Sequence, residues 1–249
     1  TLGHSKNTQA ITLGTSISIA GPITVYGGDI TVNADLTSTN LNSAIKLLAT
    51  GYIANTTGLR TITTNGGAVL FASDTDGNDF GTIRFANGLT IDTRLGLAGS
   101  KSAVTTGGGA ITLAGGNVSG TGYAAGTSAT WAEGIRVDYG LTMYSGGGDI
   151  TMRGKGLASA VQNGNGSWGV GFWTSNTGSS LIADAGEGKF YMEGISRATD
   201  TVSYKEAIVT LYGVNIKSAY KGADAIKLVG TNSSTAAGYN YGIDLGGES

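Results

Sequence analysis

Apolar residues in this chain recur as short apolar-x-apolar triplets, each set off by glycine, asparagine or aspartate. One column follows Gly pairs: Ile30-Thr31-Val32, Val69-Leu70-Phe71, Ile111-Thr112-Leu113, Ile150-Thr151-Met152 and Phe190-Tyr191-Met192. Ile226-Lys227-Leu228 continues it, and first members step by 39, 42, 39, 40 and 36 residues. A second column reads Ile45-Lys46-Leu47, Ile83-Arg84-Phe85, Ile135-Arg136-Val137, Val170-Gly171-Phe172, Ile208-Val209-Thr210 and Ile243-Asp244-Leu245, with Ile11-Thr12-Leu13 opening it. A looser third holds Ile23-Thr24-Val25, Leu89-Thr90-Ile91, Leu141-Thr142-Met143 and Val214-Asn215-Ile216, with ambiguous register around 59–63 and 181–183.

In-out-in alternation is the period of a strand with one buried face. Glycine, asparagine and aspartate between triplets supply corners, where left-handed backbone is tolerated. No sustained 3.6-residue period supports a helix. Three short strands per unit of about 36–42 residues predict an all-β parallel β-helix, a solenoid in which like strands stack on successive turns. Roughly six turns at ~4.8 Å each give a rod about 30 Å long. The pattern implies one domain over 1–249, with an irregular tail at 1–9 and turns from about 10 to 247. Spacers of unequal length, such as 114–134 against 72–82, are expected as corner inserts, which cost little extra closure entropy.

Composition narrows the function classes. Glycine supplies 44 of 249 residues, proline one, and charged residues only 13 %. The net charge of −2 and the lack of a basic block disfavour nucleic acid and anionic membrane surfaces as partners. The absence of cysteine removes disulfides, thiolate metal sites and a thiol nucleophile. No apolar run reaches the ~18 residues of a spanning helix. The opening "TLGHSKNTQA" lacks Met and a signal peptide, so the chain reads as a mature or excised piece.

The phrases "GGDITV", "TNGGAVLFASDTDG", "TTGGGAITLAGGN" and "SGGGDITMRGKG" resemble the repeats of large secreted bacterial exoproteins of the filamentous-haemagglutinin type, over about residues 10–247. The resemblance implies a right-handed parallel β-helix, exported to the cell surface or the medium. Such segments serve as adhesin, biofilm component or toxin-carrying stalk. The family's secretion domain carries Asn-Pro motifs. Here the sole proline is Pro22 in "AGPIT", so the segment resembles passenger or stalk. Partners expected on this basis are flanking repeats or copies of the same chain, and glycans or a neighbouring cell surface.

Candidate chemistry is sparse. The only histidine, His4, lies in the tail, so no His-based triad or metal cluster can form within the repeats. A carboxylate-only polysaccharide lyase or hydrolase is the enzymatic alternative, because stacked outward positions bring side chains within a glycosidase pair's reach. Asp29 and Asp149, three turns apart in the period, do not meet that need and read as corner residues. The loop "SDTDGNDFG" offers Asp74, Asp76, Asn78 and Asp79 to Ca²⁺, against the plainer reading of a solvated turn. Lys46, Arg84 and Arg136 form a basic stripe in the second column, suited to an acidic glycan or to keeping the rod soluble. Outward residues of the first column, Thr31, Leu70, Thr112, Thr151, Tyr191 and Lys227, are too mixed for an ice-binding face. Four sequons, at Asn55, Asn117, Asn165 and Asn232, mark surface.

Aromatics accumulate in the inserts: Phe80, Tyr123, Trp131, Trp168, Tyr204, Tyr239 and Tyr241. Flat apolar rings with Asn, Ser and Thr around them suit carbohydrate. The competing reading is that they fold back over the solenoid flank as a satellite cluster. The sequence therefore favours a non-catalytic extracellular structural or adhesive rod, with a self-assembling fibre subunit and a carbohydrate-active enzyme as the alternatives.

Overall fold

The computed structural model describes residues 1–96, 101, 105–128, 130–158, 167–173, 181–197, 199, 206–210, 213–233 and 241–245. It is a three-sided parallel β-helix. The first turn is β1 (Ile11–Leu13), β2 (Ile17–Ile19) and β3 (Ile23–Gly27); the second is β4 (Ile30–Val32), β5 (Leu36–Leu41) and β6 (Ile45–Ala49). The third is β7 (Ile53–Asn55), β8 (Arg60–Asn65) and β9 (Val69–Ser73); the fourth is β10 (Ile83–Phe85), β11 (Leu89–Asp92) and β12 (Ile111–Gly115), followed by the short insert strand β13 (Ala124–Ala125). The fifth is β14 (Ile135–Val137), β15 (Leu141–Tyr144) and β16 (Ile150–Lys155); the sixth is β17 (Val170–Phe172), β18 (Leu181–Asp184) and β19 (Phe190–Ser196). The seventh is β20 (Ile208–Thr210), β21 (Val214–Lys217) and β22 (Ile226–Asn232), and β23 (Ile243–Asp244) begins an eighth.

Strands stack in parallel into three sheets. Sheet 1 runs β1-β4-β7-β10-β14-β17-β20-β23, sheet 2 runs β2-β5-β8-β11-β15-β18-β21, and sheet 3 runs β3-β6-β9-β12-β16-β19-β22. In-register pairing lines the interior with files of like side chains. Ile30, Ile53, Ile83, Ile135, Val170 and Ile208 in sheet 1 are all fully buried. In sheet 3 the file Val25, Leu47, Phe71, Leu113, Met152, Met192 is equally dry, and Phe71 tilts against Phe85 at 6.1 Å. One turn alone cannot remove such side chains from water; the stack does.

The corner into sheet 3 shows why glycine is so frequent. A Cβ on Gly67, Gly109, Gly148 or Gly188 would lie closer than 3.0 Å to backbone of the turn before it, at Ser43, Gly67, Gly109 and Gly148 respectively. Beneath them runs a file of hydroxyls. Thr64, Thr93 and Ser145 donate to the carbonyls of Gly67, Gly109 and Gly148, each at 2.5 Å. Aspartates at strand entries serve the following turn. Asp29 accepts the Tyr52 N–H at 3.1 Å, Asp35 that of Thr61 at 2.8 Å, and Asp149 that of Lys189 at 2.8 Å.

Four expectations need correction. There are seven full turns and the start of another, against roughly six expected. The period is not uniform: strands of sheet 1 begin 19, 23, 30, 52, 35, 38 and 35 residues apart, and those of sheet 3 begin 22, 24, 42, 39, 40 and 36 apart, so 36–42 per turn holds only along sheet 3 from Val69 onward. The columns are right from residue 69 onward and at Ile11-Thr12-Leu13, which stands in sheet 1 as expected, and are wrong for the triplets between them. Ile30-Thr31-Val32 lies in sheet 1, whereas Ile23-Thr24-Val25 and Ile45-Lys46-Leu47 lie in sheet 3. The 39 residues from Ile30 to Val69 span a turn and two further strands, because the first turns carry almost no loop. The tail is also partly engaged. The Leu2 N–H donates to the Thr24 carbonyl at 2.8 Å and the Tyr26 N–H to the Leu2 carbonyl at 2.9 Å, which lays residue 2 along β3.

Candidate surface site on sheet 1

The outer face of sheet 1 gathers the chain's three tryptophans with two arginines. Arg84 and Arg136 are register partners on β10 and β14, and both point outward because their neighbours in each triplet point in. Asp138, just past β14, bridges them: Oδ2 accepts from Arg84 Nε at 2.9 Å and Oδ1 from Arg136 Nε at 2.6 Å. Arg136 Nη1 also pairs with Glu133 Oε1 at 2.9 Å. Glu133 is fully buried, and its Oε2 has no hydrogen-bond partner. Burial pushes its carboxyl above the usual range, against the pull of Arg136.

Rings flank each guanidinium. The Arg84 guanidinium carbon lies 5.5 Å from the centre of Trp131, which meets Tyr52 edge-on at 4.5 Å. That of Arg136 lies 5.7 Å from Trp173, which stacks on Trp168 at 5.6 Å and 25°. The Trp168 indole N–H donates to Glu206 at 2.7 Å. The result is one ribbon of ring, cation and carboxylate from turn three to the entry of turn seven. Its most exposed ring is Trp173, at 37 %.

The other expected residues distribute differently. Trp168 is only 2 % exposed, so it supports Trp173 from below and cannot itself be a contact surface. Tyr241 precedes β23 on the same flank and is half-exposed. Phe80 is also half-exposed, in the 74–81 loop. Tyr123 sits elsewhere, over sheet 3. Its hydroxyl donates to Glu193 at 2.7 Å beside Arg153 and Tyr191, and burial together with that bond pushes its pKa up to about 12. Tyr204 and Tyr239 lie outside the described residues. The expected basic stripe loses Lys46, which stands on sheet 3 between Thr24 and Leu70. The mixed outward file on sheet 3 therefore begins with Thr24 and Lys46, not Thr31.

The calcium candidates do not converge. Asp79 binds Lys155, and its Oδ2 accepts from Arg197 Nη1 at 2.9 Å, which holds its carboxyl below the usual range. Asp74 is buried, with its carboxyl pushed up by burial, and its Oδ1 accepts the Asp79 N–H at 3.1 Å. Asp76 accepts from the Asn78 amide at 2.9 Å. Among the described residues no group of three or more His, Cys, Asp or Glu is placed to hold a metal ion. Asp29 and Asp149, already distant in sequence, stand at corners of different sheets.

Trp173 and Tyr52 were not singled out in the sequence. Alternation through Val170-Gly171-Phe172 puts Trp173 outward, so that signal was present; nothing local marks Tyr52. Comparison with family models, curated proteins and solved structures found no match.

Proposed function

We propose that this chain is a non-catalytic structural and adhesive rod of a bacterial surface or secreted exoprotein, of the filamentous-haemagglutinin kind. The observation that carries the reading is the continuous parallel stack of seven turns, whose inward, mainly apolar files are buried from the second turn through the sixth. That construction invests the chain in length and stiffness, and it leaves one flank for contact. Its charged groups support the same reading: Asp138, Asp79 and Glu193 each engage a cation from another turn, the arrangement of a lateral brace. Axial partners in this account are flanking repeats or further copies of the chain, and lateral partners are glycans.

The rival reading is a polysaccharide-cleaving enzyme on the same fold. Its best acid is Glu133, whose carboxyl is raised, but that side chain is fully buried beneath Arg136. Incubation with a panel of acidic and neutral polysaccharides tests this. The rod reading expects no new reducing ends and no unsaturated products. Cleavage that disappears in Glu133→Gln would replace it with the enzymatic one.

A further inference from the structure

The two surface features that looked separate in the sequence, a basic stripe and an aromatic corner, occupy one place. We propose that the outer face of sheet 1 binds a uronic-acid polysaccharide, with a uronate carboxylate on Arg84 and pyranose faces on Trp131 and Trp173. The inference rests on the reading of the chain as a non-catalytic rod whose flank contacts glycans.

The two arginines are not equivalent. Arg136 uses both Nε and Nη1 on Asp138 and Glu133, and only 12 % of its side chain is exposed. Arg84 is more open, at 22 %, and among the described residues it hydrogen-bonds only through Nε. Its two terminal nitrogens form a planar fork, fixed at the root by Asp138 and flanked by the Trp131 ring. A pre-oriented guanidinium fork matches a carboxylate through two parallel hydrogen bonds, and the orientation entropy is already spent. Lysine would offer neither.

The rings are held as firmly as the cation. Trp131 is braced by Tyr52 and Trp173 by Trp168, so neither needs ordering on binding. The ligand class follows from this pairing. Flat rings take the apolar face of a sugar, and the fork takes its carboxylate. Nucleic acid would demand many clustered cations, whereas the described part of this site offers two guanidiniums, both already tied to Asp138. Arg84 and Arg136 share Asp138, and Glu133 pairs with Arg136 alone, so among the described residues Arg84 has no carboxylate to itself. Rungs ~4.8 Å apart suit an extended polysaccharide lying along the rod axis, about one sugar per turn.

All three tryptophans of the chain lie on this flank, so indole emission reports on it directly. The experiment titrates the full chain with hexamers of galacturonate, mannuronate and hyaluronan, and with a carboxyl-reduced galacturonate hexamer. At least one uronate oligomer is expected to give a saturable emission change. The reduced oligomer should bind about tenfold more weakly or worse, since the fork then has no anion to pair with. Arg84→Lys keeps the charge, removes the fork and should weaken binding about as much. Trp131→Ala leaves the Arg84–Asp138 pair in place and should weaken binding about tenfold, read by the remaining Trp173 and Trp168 emission, while a cooperative melt shows that the fold is kept. No saturable change with any uronate, equal binding of the reduced oligomer, or Arg84→Lys and Trp131→Ala both binding like the parent would each overturn the proposal. The two readings fail separately. Shortening of the oligomers during the titration would remove the non-catalytic reading while binding stood, and absence of binding by an intact rod would remove this inference alone.

Discussion

Replacing Gly148 with alanine isolates what holds adjacent turns together. The added Cβ would lie under 3.0 Å from the carbonyl carbon and oxygen of Gly109 and from the nitrogen of Ala110. All three are backbone, so no side chain can swing away. Relief requires the corner to open. Two hydrogen bonds cross that gap: the Gly108 N–H to the Gly146 carbonyl at 2.8 Å, and the Ile111 N–H to the Asp149 carbonyl at 2.9 Å. Losing both costs about 2 kcal/mol, at roughly 1 kcal/mol net each. That lies within the ~1–3 kcal/mol typical of overpacking. Gly148 does not occupy the left-handed region, unlike Gly146 and Gly147, so the penalty comes from contact and not from φ. Gly14 supplies the control: an added Cβ there has no heavy atom within 4 Å. Gly14→Ala should therefore be neutral or stabilise by up to about 1 kcal/mol through the unfolded chain. Urea denaturation followed by circular dichroism and by tryptophan emission measures both variants. A loss of about 2–3 kcal/mol is expected for Gly148→Ala, equivalent to a melting point lower by about 4–12 °C in a chain of this size. A Gly148→Ala variant within about 0.5 kcal/mol of the parent, or a Gly14→Ala variant equally damaged, would refute the corner-contact account.

Other outcomes follow from the same geometry. Phe71→Ala should cost about 3–5 kcal/mol in a denaturant melt, because the ring is fully buried and packs on Phe85; Phe71→Leu should recover most of that loss. Asp79 has a carboxyl held low by Lys155 and Arg197, so its contribution is present above its ordinary 3.8 and disappears as pH falls through the lower folded value. Asp79→Asn should therefore destabilise at pH 7, by no more than about 1 kcal/mol for so exposed a pair, and should match the parent near pH 2. Tyr123, pushed up to about 12, should remain protonated in an absorbance titration at pH 11, and Glu193→Gln should bring its ionisation down.

How far the chain could be read in advance depended on which physical signal each feature leaves. In-out-in triplets bounded by glycine state that a strand has one buried face, and that was enough for the solenoid. They do not state which of three sheets a strand joins, because the corners use the same chemistry. Gly28 ahead of β4 and Gly148 ahead of β16 both sit where a Cβ would strike the preceding turn, and Asp29 and Asp149 both accept an N–H of the next turn. The phrases "YGGDITV" and "GGGDITM" are therefore alike although they turn into different sheets. With turns of 19 and 23 residues at the start and 52 in the middle, a constant step mixes the columns.

The surface was legible in part. Arg84 and Arg136 keep their place in the stripe because both lie beyond residue 69, where the columns are correct; Lys46 lies before it and does not. Insert aromatics were found as a class, but sequence says nothing about which ring becomes floor and which becomes surface. Trp168 is floor, since its indole reaches Glu206 and its face meets Trp173. Asp79 looked like a metal ligand because carboxylates cluster locally. Its partners, Lys155 and Arg197, arrive from 76 and 118 residues away, through turns that only the stack brings alongside.

Spin-label distances test the stack itself most directly, and the absence of cysteine makes labelling clean. Thr24 on β3 and Lys227 on β22 occupy the same outward file of sheet 3, six rungs apart. With cysteine at both positions, pulsed dipolar spectroscopy should give one narrow distribution centred at about 30 Å, six steps of ~4.8 Å with a small allowance for the labels. A broad distribution, or a maximum below about 20 Å, would contradict a continuous in-register rod.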